Sequence, residues 1–119
     1  MYGLPDDFAL PSFSSACLLH VAIGQHQVQL SFDGKNRSVS IESRYAVIDP
    51  GCGREEFTSM PAGAAKLAAL LGARLEYVSA ARDGTLMLNF DTGTQVVIFD
   101  DSTHYESYQI RDGDRLIVV

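Results

Sequence analysis

The sequence predicts an α+β fold: a mostly antiparallel sheet made of two related β-meanders, with one helix packed against it. The first observation is an internal repeat, because VQLSFDG at 28–34 is matched further along the chain by LMLNFDTG at 86–93. Each copy is followed by a second alternating run, Val39/Ile41 in one and Val96/Ile98 in the other. The second observation is a single stretch of helical periodicity between the copies, at 59–71.

The first meander is predicted over residues 16–49. Residues 1–15 contain prolines and serines without a sustained period, which is typical of an extended lead-in. From residue 16 the chain alternates as a strand does, and Val28, Leu30 and Phe32 share one face of their strand while the intervening residues are polar. The pattern predicts a sheet with one solvated face, and the Asp33-Gly34 pair predicts a tight turn.

The helix is predicted over residues 59–71. Thr58 or Ser59 can cap it, Pro61 suits its first turn, and Gly72 can end it in the left-handed conformation. Its outer side is rich in alanine and glycine, so we expect the helix to be packed on two sides.

The second meander is predicted over residues 75–119, with turns at three Asp- and Gly-containing sites. Here the alternation is lost, since residues 96–99 and 116–119 are apolar without interruption. These strands are expected to be apolar on both faces, with one face against the helix and the other against a partner sheet or subunit. The predicted core is Leu19, Val21, Val28, Leu30, Phe32, Val39, Ile41, Leu67, Leu71, Val78, Leu86, Leu88, Phe90, Ile98, Ile110 and Leu116.

Length and charge narrow the class of protein. A chain of 119 residues has the size of a single domain, 1–119. The formal net charge of −6 and the scattered basic residues argue against nucleic-acid binding and favour a cationic protein partner. No segment has the length of a membrane span and no basic leader is present, so a cytoplasmic protein without membrane contact is expected, with Cys17 and Cys52 reduced.

Catalytic and metal sites have little support in the sequence. Zinc ligation by His20, His26, His104 and the two cysteines is disfavoured by their spacing. Only Cys17 and His20 lie at a short interval, and a strand over residues 16–23 would point them to opposite faces. The glycines on both sides of Cys52 fit a turn, and no motif places a base beside its thiol. The sequence therefore predicts no metal, no cofactor and no catalytic residue, and a protein that is not an enzyme.

The densest group of polar and aromatic residues is HYESY at 104–108, beside an acidic turn. Tyrosine and acidic side chains together suit a contact surface for a cationic partner. The alternative is that Tyr105 or Tyr108 is a half-buried strand residue whose hydroxyl reaches the rim. The predicted partner-binding residues are Asp100, Asp101, His104, Glu106, Tyr108 and Asp112.

These segments resemble a family of small bacterial proteins of unknown function. The resemblance rests on DGTLMLNFDTG at 83–93 and YESYQI at 105–110, and it extends over roughly residues 17–119. Tyr108 stands where many members are expected to have tryptophan. Some similar small acidic proteins are immunity proteins of polymorphic toxins, and this is the role that the resemblance implies.

The predicted function is a non-catalytic protein-binding module, in its most concrete form an immunity protein that neutralises a basic toxin domain. An alternative is a pocket between the two meanders that binds a small ligand or catalyses a reaction. A homodimer formed through the doubly apolar strands is compatible with either function.

Overall fold

A computed structural model of the chain describes residues 13, 15–34, 36–51, 53–58, 60–100, 107–113 and 115–119. In this part of the chain ten strands form two five-stranded antiparallel sheets. The strands of the first half are β1 Leu18–Ile23, β2 Val28–Phe32, β3 Arg37–Ile41, β4 Tyr45–Asp49 and β5 Gly53–Phe57. A 3-10 turn at Pro61–Gly63 leads into α1 Ala64–Ala68. The strands of the second half are β6 Leu75–Ala80, β7 Leu86–Phe90, β8 Gln95–Ile98, β9 Tyr108–Asp112 and β10 Arg115–Val118.

The predicted fold class is confirmed, but each half of the chain contributes to both sheets. The first sheet has the order β1-β2-β3-β9-β10 and the second the order β5-β4-β8-β7-β6. Each repeat therefore consists of a three-stranded meander and a hairpin that pairs with the meander of the other repeat. The first repeat comprises β1–β5 and the second repeat β6–β10.

The internal repeat extends to irregular details of the backbone. Both meanders shift register in their first strand, between Leu18 and His20 in one and between Leu75 and Tyr77 in the other. A β-bulge at the same place in both copies indicates a shared local design.

The two repeats meet at the isolated bridge between Cys17 and Arg74. The amide of Cys17 donates to Asp33 Oδ1 at 2.9 Å, and the amide of Arg74 donates to Asp91 Oδ1 at 3.2 Å. These aspartates begin the turns after β2 and β7, so the two contacts correspond. The bridge lies where a pseudo-twofold axis would relate the repeats.

The connections from meander to hairpin are also related. The amide of Glu42 donates to the carbonyl of Ser107 at 2.9 Å, and the amide of Phe99 donates to the carbonyl of Arg44 at 3.2 Å. The ends of the two crossovers are therefore joined by backbone hydrogen bonds.

The core lies between the two sheets and is shared by both repeats. Eleven of the sixteen predicted core residues, among them Phe32 and Phe90, are buried, and two more, Val21 and Val78, are partly buried against the core.

The three exposed residues are corrections to the predicted core: Leu19 is 57% exposed, Leu71 48% and Leu116 47%. In each case a neighbour takes the inward position, namely Leu18, Leu70 and Ile117. Each error is a shift of one residue between apolar neighbours. The β-bulge between Leu18 and His20 changes the inward face at the start of β1, and Leu71 lies beyond the end of α1 at Ala68. In 116–119 the sequence shows no alternation that could fix the inward face.

The helical segment is shorter than the predicted range 59–71. It consists of the 3-10 turn and the five residues of α1, and it turns Leu67 into the core. Ala62, Ala65 and Ala69 are exposed, so the expectation that the helix is packed on two sides is wrong.

Strand β5 was not predicted from the sequence. Its residues Arg54, Glu55 and Glu56 are charged and exposed, and the turn residues at 49–53 indicated the end of the meander instead. It lies at the edge of the second sheet, where charged side chains are common because they discourage further strand pairing.

No helix within the described residues is long and apolar enough to cross a membrane.

Candidate protein-binding surface

Comparison of the repeats separates the predicted contact residues into two groups. Strand β4 reads YAVID and strand β9 reads YQIRD, so Tyr108 and Asp112 correspond to Tyr45 and Asp49. A residue that both repeats carry at one place is explained by the shared fold. The other predicted residues lie in a connection whose length differs between the repeats.

Tyr108 is a core residue. Its side chain is 0% exposed, and its hydroxyl donates to the carbonyl of Gly84 at 2.6 Å. Tyr45 is equally buried and its hydroxyl donates to the carbonyl of Met60 at 3.0 Å. The prediction that Tyr108 contacts a partner is therefore corrected: the ring is enclosed, and its hydroxyl fastens the β6–β7 turn.

Burial is also the main electrostatic influence on both tyrosines. Loss of solvation raises the pKa of Tyr108, and the negative charge of Asp83 raises it further. Burial raises the pKa of Tyr45 in the same direction. Both hydroxyls are thus kept protonated, as donors to backbone carbonyls.

The aspartates that end β4 and β9 both pair with basic side chains. Asp112 Oδ1 lies 3.8 Å from Arg37 Nε. Asp49 accepts from Lys66 Nζ at 3.0 Å and from Thr94 Oγ1 at 3.1 Å. The hydrogen bond from Lys66 is the main reason that the pKa of Asp49 is lowered. Asp112 is half-buried in an ion pair on the strand, so its position is accounted for without a partner.

Asp100 lies at the base of the longer connection. Its Oδ1 accepts from Ser107 Oγ at 2.9 Å, and Ser107 is fully buried. The carboxylate also packs against Gly84, where an added Cβ would clash with Asp100 Oδ2. Asp100 therefore joins the two ends of the connection to the β6–β7 turn, and it is half-buried rather than fully available to a partner.

The connection itself distinguishes the second repeat from the first. Residues 42–44 link β3 to β4, whereas residues 99–107 link β8 to β9. Asp101, His104 and Glu106, the remaining predicted contact residues, belong to this longer connection but lie outside the described residues. The repeat fold does not require this extension, because three residues make the same crossover in the first half.

A cluster of arginine and aromatic side chains adjoins the start of the extension. The guanidinium of Arg44 lies 3.9 Å from the centre of the Phe99 ring, and that of Arg54 lies 5.6 Å from it. Glu56 forms ion pairs with both arginines. Cation–π stacking of this kind holds the arginines against the sheet.

Other candidate sites have weaker support in the described part of the chain. No three His, Cys, Asp or Glu residues there are grouped to hold a metal ion. A groove of about 270 Å³ lies at the tip of the β1–β2 hairpin, and it is lined by Ala22, Ile23, Gly24, Gln27 and Gln29. These side chains include no acid, base or nucleophile, so the groove offers no catalytic chemistry.

One signal in the sequence would have corrected the predicted site. The repeat continues into the fourth strand of each half as the pattern Y-x-V/I-x-D, which marks Tyr108 and Asp112 as parts of the fold. The contacts of Asp100 with Ser107 and Gly84 have no such signal in the sequence, because they join turns that are distant along the chain.

Comparison with known proteins identifies the family but adds no function. Searches of curated proteins and of solved structures found no match. A model of a family of unknown function (DUF6188) matches residues 13–119, which include both repeats and the helical linker. The chain therefore belongs to this family of unknown function, DUF6188.

Proposed function

We propose that the protein is a non-catalytic protein-binding module, and that the extension at 99–107 provides its main contact with a cationic partner. The observation that carries this proposal is the difference between the repeats. Only the second repeat has the extension, and Asp100, Asp101 and Glu106 lie within it. Loops on a rigid scaffold are frequent sites of binding.

The charge of the chain supports the choice of partner. The formal net charge is −6, and Asp83 in the neighbouring turn adds to the acidic residues at the base of the extension. An acidic surface raises the rate of association with a basic protein, and salt weakens this effect. The buried contacts of Ser107 and Tyr108 hold the end of the extension in place.

Charge reversal in the extension tests the proposal. The variant Asp101→Lys/Glu106→Lys is compared with Glu55→Lys/Glu76→Lys, which changes the net charge equally at exposed positions on β5 and β6. The wild type and both variants are used as bait in extracts of the native host, and captured proteins are identified by mass spectrometry. Each captured protein is then purified, and its affinity for the wild type and for both variants is measured. We expect the wild type and the β5/β6 variant to retain a basic partner, and the extension variant to lose at least tenfold in affinity.

The salt dependence provides a second measurement on the purified pair. Raising the ionic strength from about 50 to 300 mM should slow association with the wild type much more than with the extension variant, because screening acts on the charges that the variant removes. Equal affinity of both variants for the partner would contradict a contact through the extension.

The more specific version of the proposal is an immunity protein that neutralises a basic toxin domain. The acidic net charge is compatible with this role, and so is a sequence in which no motif places a base beside a nucleophile. Co-expression with a toxin domain encoded beside the gene is the direct test. Protection by the wild type, reduced by the extension variant, is expected; survival that is independent of the protein would contradict it.

A further inference from the structure

The strands β5 and β10 occupy corresponding edges of the two sheets but carry different side chains. Tyr45 pairs with Phe57 across β4 and β5, and Tyr108 exchanges backbone hydrogen bonds with Val119 beyond the end of β10. Counting back from these pairs, Arg54 and Glu56 of β5 correspond to Leu116 and Val118 of β10. The second sheet is thus charged at its β5 edge, whereas the first sheet is apolar at its β10 edge.

The backbone of β10 is arranged for pairing at its free side. Val119 donates to Tyr108 at 3.0 Å and accepts from it at 3.3 Å, so these residues form a hydrogen-bonded pair. Hydrogen-bonded and non-hydrogen-bonded pairs alternate in an antiparallel ladder, so Leu116 and Val118 direct their backbone groups away from β9. No described strand pairs with β10 on that side.

The two doubly apolar strands of the sequence differ in this respect. Strand β8 lies inside the second sheet, and its outward residue Val97 is only 6% exposed. Strand β10 lies at an edge, and its outward residue Leu116 is 47% exposed. Of these two strands, β10 is therefore the one that leaves an apolar side chain exposed at a sheet edge.

We propose that β10 pairs antiparallel with β10 of a second copy of this chain, which joins the two first sheets across a twofold axis. In the register centred on Ile117, Leu116 of each copy forms a hydrogen-bonded pair with Val118 of the other, and the two Ile117 residues face each other. Apolar side chains meet on both faces of the new sheet, and β10 itself contributes no acidic residue between 115 and 118. This self-complementarity favours a second copy over a basic partner.

The size of the contact sets the expected strength. A four-residue strand buries far less than the roughly 800 Å² per partner of a standard interface. The dimer is therefore expected to be weak, with a dissociation constant on the order of 10–100 μM. This inference concerns self-association and does not depend on the proposed function.

The variant Leu116→Arg/Val118→Glu tests the pairing of β10 with its copy. It introduces the side chains of Arg54 and Glu56, which the fold already accepts at the corresponding positions of β5. The control is Leu71→Arg, because Leu71 is 48% exposed and lies outside the edge. Sedimentation equilibrium from about 5 to 500 μM should show dimerisation of the wild type and the control, and at least tenfold weaker dimerisation of the edge variant. Circular dichroism confirms that all three are folded.

A cysteine at the centre of the strand tests the register. In a chain whose Cys17 and Cys52 are replaced by serine, Ile117→Cys should form an intermolecular disulfide under oxidising conditions, and Leu116→Cys should do so much less. A wild type that stays monomeric throughout overturns the proposal. An edge variant that dimerises as strongly as the wild type also overturns it. The same holds if neither protein dimerises and the edge variant loses the basic partner, since the edge would then belong to that partner.

Discussion

The two repeats share an architecture and differ at their surfaces, and this contrast separates residues of the fold from candidates for function. Both have a bulged first strand, a buried tyrosine and an exchanged hairpin. The second repeat alone has the long connection 99–107 and a hairpin whose outer strand, β10, is apolar. Since the shared features account for the fold, the unshared ones are where binding is to be sought.

The largest expected effect tests whether the cores of the repeats are equivalent. Phe32 and Phe90 are 4% and 1% exposed, and their rings stack at 6.5 Å. Replacing either with alanine should cost roughly 3–5 kcal/mol of unfolding free energy, measured by urea denaturation. The double variant should cost less than the sum, because each ring is a neighbour of the other. An unchanged melting temperature for either variant would contradict the repeat.

A smaller effect tests the assignment of Tyr108 to the fold. Tyr108→Phe and Tyr45→Phe each remove the donor to a backbone carbonyl, and each should cost about 1–3 kcal/mol of unfolding free energy. Binding of the partner by the folded Tyr108→Phe protein should be unchanged. If binding is lost while stability is retained, the hydroxyl has a contact role after all.

The two buried tyrosines also determine how the free energy of unfolding changes at alkaline pH. Burial raises their folded pKa values above the ordinary tyrosine pKa of 10.0, so their stabilisation is complete below pH 10 and is lost as the pH rises through the folded values. The double phenylalanine variant should lose less stability than the wild type between pH 9 and 11. Chemical denaturation across this range provides the measurement.

The smallest effect compares the aspartates that end β4 and β9. The pKa of Asp49 is lowered from 3.8, so its stabilisation is present above pH 4 and is lost as the pH falls through the folded value. Asp49→Asn should reduce stability by less than about 1 kcal/mol at pH 7 and flatten its decline below pH 4. Asp112→Asn is the matched control. Identical acid limbs for Asp49→Asn and the wild type would show that the contact with Lys66 contributes nothing.

Much of the fold follows from local patterns in the sequence. Strands such as β2 alternate cleanly, so the inward residues Val28, Leu30 and Phe32 were predicted correctly. In apolar runs such as 116–119, either face satisfies the pattern, and only the pairing with β9 selects Ile117. The exchange of hairpins could not be predicted, because it depends on pairing between strands far apart in sequence.

The candidate site was less predictable than the fold. A tyrosine beside acidic residues suggested a contact surface, but Tyr108 has a buried counterpart in Tyr45. The composition of a short segment does not show whether a ring faces the core. Asp100 was found by its charge, yet its contacts with Ser107 and Gly84 require two turns to meet.

The hairpin exchange also has a consequence for synthesis of the chain. Strand β3 pairs with β9, so one of its sides has no partner until the second repeat has left the ribosome. At about 5–20 residues per second, this delay lasts several seconds. A chain that stops after its first half would leave one side of β3 without β9 and the β4–β5 hairpin without β8, so we expect a premature stop to leave the first half without a complete sheet.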